Sequence, residues 1–324
     1  MKLSIVIICW NDLKVLPACL ASIVAQTRQT DYELIISDNG SADGSLDFVR
    51  QNYPQARILE NRANLGYARG NNVGIEAARG QYILILNPDT IIQDQALDRW
   101  MQFAAQHPEA GALGCKVVNP DGSLQDPARP FPTNWLYLQM ALWLRGNRYL
   151  WWDGNSQRRI AWQSGCAVLF RADVLRQLKG FDERFFYHFE EVDLCYRVWQ
   201  AGFPILYTPD AVITHLGGQS VGRFPIRFEL EKYRNRYRYF HKHYGLSGAR
   251  RCRKIALLHL AVRRGGYGLL GLLRDSEINR NRLEMLRVSW RWNKQLDVQR
   301  FIENGQEPDV GYEPLAPAPR IATS

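Results

Sequence analysis

Paired cysteines are missing from this chain. Cys9, Cys19, Cys115, Cys166, Cys195 and Cys252 are scattered over 324 residues with no CxxC spacing. That excludes a zinc ribbon or disulfide framework and suits a reducing cytoplasm. A clean membrane span is missing too. Ile255–Leu273 is the nearest candidate at 19 residues. Arg263 and Arg264 interrupt its centre, each at a cost of roughly 2.5–3.5 kcal/mol on insertion scales. The apolar opening Met1–Cys9 is too short for a signal peptide and has no small-residue cleavage site, so none is expected. Acid is scarce in one region only. Residues 1–220 hold 20 Lys+Arg against 22 Asp+Glu, whereas residues 221–324 hold 21 against 10. The whole excess of +9 therefore lies in the last third, a footprint for nucleic acid or an anionic membrane surface.

What is present is an alternating pattern. Leu3–Cys9, Tyr32–Ser37, Arg57–Leu59 and Tyr82–Leu86 read as strands, and Leu13–Ala25, Ser45–Gln51 and Tyr67–Ala78 as helices. Such alternation implies βαβ units, a mostly parallel central sheet and an α/β fold. Beyond Ala110 the pattern loosens. Asn119-Pro-Asp-Gly reads as a hairpin tip, and residues 126–160 as a long loop with a short helix around Leu136–Leu144. Ala167–Phe170 and Ile205–Tyr207 read as strands, and Ala172–Leu178 and Val192–Ala201 as helices. From Phe224 the chain turns helical and basic, and from Gly305 a tail with four of the 15 prolines reads as disordered.

Polar clusters fall where these strands end, the usual place for ligands in an open α/β sheet. Cys9-Trp10-Asn11 follows the first strand. Asp38-Asn39-Gly40 follows the second, where a carboxylate can accept from N3–H of uracil or thymine; a turn with a helix cap explains it equally. Asn64-Leu-Gly66, with Arg69 and Asn72, opens a helix whose N-terminus favours phosphate; this stretch is neither GxGxxG nor a Walker loop. Asn87-Pro-Asp89 ends the fourth strand, where Asp89 is placed to hold a divalent cation. Glu190, Glu191 and Asp193 lie among aromatics, which raises a carboxyl pKa toward that of a general base; a helix start enriched in acids is the plainer account. His215 after a short strand is a further metal-ligand candidate.

Taken together, these pieces resemble a family-two inverting glycosyltransferase of the GT-A fold, in its bacterial rhamnosyltransferase-like branch. The motifs run in order from Ser4–Asn11 through Asp38–Ser45, Asn64–Gly66, Asn71–Gly74, Asn87–Asp89, Ser164–Ala167, Gly180–Glu183 and Glu190–Asp193 to His215. The resemblance implies a GT-A domain over 1–224, with a nucleotide-sugar half to about 115 and an acceptor half beyond. A basic helical extension over 225–304 and the tail 305–324 would follow. It implies Asp38 on the nucleobase, with Cys9, Asn11, Asn39, Asn64, Gly66, Arg69, Asn72 and Asn87 around the nucleotide-sugar. Asp89 and His215 would bind Mg2+ or Mn2+; Asn87 stands where the family's first acid is usual. Glu191 would be the base, supported by Glu190 and Asp193, and Trp162, Ser164 and Gly165 would meet the acceptor.

The resulting expectation is transfer of a sugar, rhamnose from dTDP-rhamnose, or a UDP-sugar's, to a saccharide or lipid-linked saccharide in cell-surface polysaccharide synthesis. The expected setting is the inner face of the bacterial cytoplasmic membrane, peripherally on anionic lipid. A metal-dependent nucleotidyltransferase would show a glycine-rich basic loop after the first strand, where Trp10-Asn11-Asp12 stands instead. A nucleic-acid module fits the charge of 221–300 but not the acidic cluster, so nucleic acid is not an expected partner.

Overall fold

The computed structural model describes residues 1–125, 129–142, 152–217, 225–273 and 277–312, with side chains at 268–273 and 277 outside that description. Strand β1 (Leu3–Cys9) is buried at every position, as a strand covered on both faces must be. It pairs in parallel with β2 (Tyr32–Asp38) and β4 (Tyr82–Leu86), and β2 with β3 (Arg57–Glu60). Helices α1 (Leu16–Gln26), α2 (Ser45–Asn52) and α3 (Gly66–Ala77) make the crossovers. The register sets Cys9 beside Asp38, so the first two polar loops leave the sheet together.

Beyond β4 the sheet becomes mixed. β5 (Thr90–Ile92), α4 (Ala96–Gln106), β6 (Ala112–Val118), α5 (Asn134–Ala141), β7 (Arg158–Arg159), β8 (Ala167–Arg171), α6 (Ala172–Gln177), α7 (Glu190–Gln200) and β9 (Ile205–His215) follow in turn. The strand order is β3-β2-β1-β4-β8-β6-β9-β5, with β7 on β9. β8 runs antiparallel to β4 and β6, and β5 and β7 antiparallel to β9. Parallel pairing runs through β3-β2-β1-β4 and returns between β6 and β9, with antiparallel β8 between the two parallel sets. The segment expected to be irregular from Ala110 instead carries β6 and an eleven-residue β9.

Two apolar layers pack on the faces of the sheet. A third core joins α7 to the helices α8 (Pro225–Leu273, kinked at Gly245), α9 (Glu277–Gln295) and α10 (Val298–Asn304). Its centre is Tyr237, Phe240 and Trp292, all fully buried. Cys252, Ala256 and Leu260 belong to it, so the stretch 255–267 packs a helical core along one side. No described helix is long and apolar enough to cross a membrane. The start of the tail is anchored: Glu307 pairs with buried Arg234 at 2.6 Å and accepts from Trp292. The disorder expected from 305 therefore does not describe 305–312, and residues 313–324 lie outside the described residues.

Candidate active site

A cleft opens at the ends of β1, β2 and β4. Trp10, Asp12, Asn39 and Asn64 line one wall, Asn87, Pro88 and Asp89 the floor, and Tyr67, Phe186, Tyr187 and Phe228 the facing wall.

The first wall is a closed hydrogen-bond web. Both Asp38 carboxylate oxygens are turned to its own loop, with Oδ2 accepting from Gly40 N at 2.9 Å and Ser41 N at 3.0 Å. Asn11, at φ +57°, accepts from Ala42 N at 2.7 Å, which ties the β1 loop to the β2 loop. Asn39 donates to Asn64 Oδ1 and Gly66 O and accepts from Asn61. The Cys9 thiol is buried near Ser41 Oγ, and burial, with Asp12 nearby, pushes its pKa up to about 12. Of the residues expected around the nucleotide-sugar, Asn39, Asn64, Gly66 and Asn87 face the cleft; Cys9, Asn11, Asp38, Arg69 and Asn72 do not line it. Asn72 is committed elsewhere: it donates to Phe181 O and Glu183 and accepts from Phe181 N, holding α3 on the Gly180–Glu183 loop. Arg69 lies 3.7 Å from Glu183.

The floor brings distant residues together by strand register. β5 and β9 pair with Thr90 opposite His215, which sets Asp89 beside the imidazole, Oδ1 to Nε2 at 3.1 Å. Gln125, which the sequence reading missed, donates through Nε2 to His215 O and Asn119 Oδ1. That orientation turns its Oε1 to His215 Nδ1 at 2.6 Å. Nδ1 then donates to Gln125, which leaves Nε2 facing the Asp89 carboxylate. A shared cation fits between them, and an oriented second nitrogen is the usual support for a ligating His. Asn87 Oδ1, on the same floor, is buried with no hydrogen-bond partner. Asp89, His215 and this oxygen fit a hard divalent cation that takes its remaining ligands from a diphosphate. No cluster of three or more His, Cys, Asp and Glu that could hold a metal exists among the described residues.

The facing wall is strained. His188 and Phe189 both sit at left-handed backbone angles, φ +69° and +72°, directly before Glu190. Non-glycine residues pay roughly 1–3 kcal/mol each for such conformations, which persist where surrounding structure enforces them. Gly66 does some of that enforcing: at φ +78°, its missing Cβ leaves room for the Phe186 ring and carbonyl, 2.6 and 2.7 Å from where that atom would lie. Tyr67 N then donates to Phe186 O at 2.8 Å. Glu190 is 4% exposed with Oε2 unpartnered, and burial, then the neighbouring Glu191, raises its pKa well above the usual carboxylate value. Glu191 stands behind Gly165, its Cβ 3.5 Å from a Cβ built there. Burial and then both glutamates raise the pKa of the Tyr67 phenol, which donates to Gly165 O.

Asp193 faces away from the cleft. It is fully buried and pairs with Arg197 at 2.8 Å, Lys242 at 2.7 Å and His243 at 2.8 Å. Burial works against its charge, but these partners hold its pKa below the usual value. Its role is to fasten α7 to α8. Trp162 donates to Pro130 O and packs between two cores, and Ser164 and Gly165 form the turn into β8.

The fold and the cleft define a GT-A glycosyltransferase. Residues 4–177 match the family model Glycosyl transferase family 2, and the chain belongs to that family. It is 32% identical to the N-acetylglucosaminyl-diphospho-decaprenol L-rhamnosyltransferase of Mycobacterium tuberculosis strain H37Rv, over 64% of this chain and 73% of that one. It is 25% identical to the rhamnosyltransferase WbbL of Escherichia coli K12, over 55% and 70%. Among solved structures, the mannosyltransferase PcManGT of Pyrobaculum calidifontis, in complex with GDP-Man and Mn2+, superposes with a TM-score of 0.56 at 16% identity, over 91% of this chain and 88% of that one. S. aureus TarS 1-349 with UDP-GlcNAc gives 0.53 at 16%, over 90% and 78%. At that identity both speak to the fold.

Proposed function

We propose that this glycosyltransferase moves rhamnose from dTDP-rhamnose to a hydroxyl of a saccharide carried on a lipid diphosphate, inverting the anomeric centre. The observation that carries this is the cleft itself, with a metal-type floor of Asn87, Asp89 and His215 and the start of α7, bearing Glu190 and Glu191, behind its opposite wall. Glu191 takes the acceptor proton as the hydroxyl oxygen attacks the anomeric carbon, and the nucleoside diphosphate departs toward the floor. Mg2+ or Mn2+, when bound by Asp89 and His215, neutralises the departing diphosphate as a Lewis acid. Burial and the neighbouring Glu191 raise the pKa of Glu190, which disfavours two negative carboxyls beside the acceptor. The names of the two relatives support rhamnose and, for one, a diphospholipid acceptor.

The basic helices fit an anionic membrane on the inner face of the cytoplasmic membrane. Arg250, Arg251 and Lys254 are exposed along α8, followed by exposed Leu258 and Val262, with Ile278 exposed on α9. Cations beside apolar side chains suit a helix at the headgroup level. The test of the donor is thermal stabilisation and transfer with dTDP-rhamnose, UDP-N-acetylglucosamine and GDP-mannose in parallel. dTDP-rhamnose should bind tightest and alone support transfer; equal or tighter GDP-mannose overturns the reading. The full chain should float with anionic vesicles and not with neutral ones, and release in high salt.

A further inference from the structure

Three arginines alternate along α8, and their surroundings differ. Arg234 lies 3.2 Å from Glu231 and 2.6 Å from Glu307, and Arg238 lies 3.6 Å from Glu231. Arg236, two residues from each and so on the other side of the helix, has no carboxylate within ion-pair distance among the described residues. Its guanidinium sits 4.6 Å from the Tyr137 ring and 5.0 Å from the Tyr233 ring, and its Nε is buried without a hydrogen-bond acceptor. Arg236 is half-buried and Glu229 meets its charge at longer range, so a bound anion would give the guanidinium a direct partner.

More positive charge surrounds it. Burial, then Lys232 with Arg236, pulls the His188 pKa down to about 4, and burial, then Arg263 and Arg236, lowers that of His259. The nearby carboxylate, Glu229, is engaged by Lys232 at 2.6 Å. The cluster adjoins the reacting end of the cleft. His188 follows Tyr187, a cleft wall that packs on Phe228 at 4.8 Å, and precedes Glu191 by three residues. In the other direction, α8 runs on to exposed Leu258 and Val262.

We propose that Arg236, with Lys232 and Arg263 beside it, receives the diphosphate of the acceptor. An acceptor sugar with its hydroxyl at Glu191 carries its phosphoester at the anomeric carbon of that sugar. The anion therefore falls beside the start of α7, and the lipid continues along α8. The assignment of the anion to an acceptor rests on the proposed function; the anion site itself does not.

Two measurements separate these. The first titrates inorganic pyrophosphate by calorimetry into the full chain with excess Mn2+ and dTDP saturating the donor site. Wild type should show one saturable site, Arg236→Lys should keep it, and Arg236→Met should weaken it tenfold or more at an unchanged Tm. No site in wild type, or equal binding by a folded Arg236→Met, overturns the proposal. If Arg236→Met fails to fold, the Arg263→Met variant is read in the same way. The second compares farnesyl-diphospho-N-acetylglucosamine with octyl N-acetylglucosaminide as acceptors. Arg236→Met should raise KM for the first at least tenfold with kcat and donor KM kept, and leave the second unchanged. Equal loss with both overturns it. Pyrophosphate binding through Arg236 in a chain that transfers to neither acceptor would sink the proposed function and leave the anion site standing.

Discussion

The two walls of the cleft are built on opposite terms. On the β1–β2 wall nearly every polar side chain is already spoken for: Asp38 by its own loop, Asn11 by Ala42, and Asn39 by Asn61, Asn64 and Gly66. On the base wall the backbone is strained at His188 and Phe189, and Glu190 Oε2 is left without a partner. The satisfied wall is a scaffold that holds its shape before any ligand arrives. The other wall leaves a buried carboxyl oxygen that no hydrogen bond among the described residues satisfies. Buried unpaired groups in a native structure call for an explanation.

Five substitutions sharpen or break this contrast. The largest effect falls where the strained wall is fastened. Asp193→Asn leaves Arg197, Lys242 and His243 around a neutral group and should destabilise by about 3–5 kcal/mol in urea unfolding. Because the native pKa of Asp193 is depressed, its contribution is full above the unfolded carboxylate range and lost as pH falls through the native value. The variant should therefore lose that part of the acid-side slope. Glu191→Gln should cost about a hundredfold in turnover, about 2.7 kcal/mol, with donor binding kept. Normal turnover would place the base elsewhere on the wall. Asp89→Ala should abolish the stabilisation that dTDP-rhamnose with Mn2+ gives, about 2.7 kcal/mol at a hundredfold excess over Kd. Full stabilisation in EDTA would remove the cation from binding.

Smaller effects test the scaffold. Asn72→Ala deletes three hydrogen bonds and should cost about 2 kcal/mol in stability while leaving donor KM unchanged. A raised donor KM with native stability would return Asn72 to the nucleotide site. Glu190→Gln should be the one gain. A raised native pKa means the folded state binds the proton more tightly, so wild-type stability falls as pH climbs from the unfolded carboxylate range toward the native pKa. The glutamine variant should flatten that fall and melt higher at neutral pH, by about 1–2 °C per kcal/mol recovered.

The first four strands were legible because each is a short apolar run closed by a polar turn, and their observed bounds differ by a residue at most. β6 and most of β9 were not. Gly114 and Lys116 break the apolar run in β6, and Pro209 sits inside β9. The register jumps there from Cys115·Thr208 to Lys116·Val212, so Pro209–Ala211 bulge out of the ladder. The site divides the same way. Asp89, His215 and Glu190–Glu191 could be nominated from motifs, since residue type and position carry that signal. Gln125, Lys242 and His243 could not, because each acts on a partner more than 45 residues away. Nothing local in a sequence marks such a partner.

The pairing of β5 with β9 has a further consequence. Three rungs alone, Thr90·His215, Ile91·Thr214 and Ile92·Ile213, bring the floor aspartate to its histidine. Side chains on a strand alternate faces, so a slip of one residue turns the imidazole to the far side of the sheet. The meeting of Asp89 and His215 is thus set by counting rather than by shape. Substitutions that keep the strands extended leave the count intact, while one residue inserted between Asp89 and Ile92, or deleted there, undoes it.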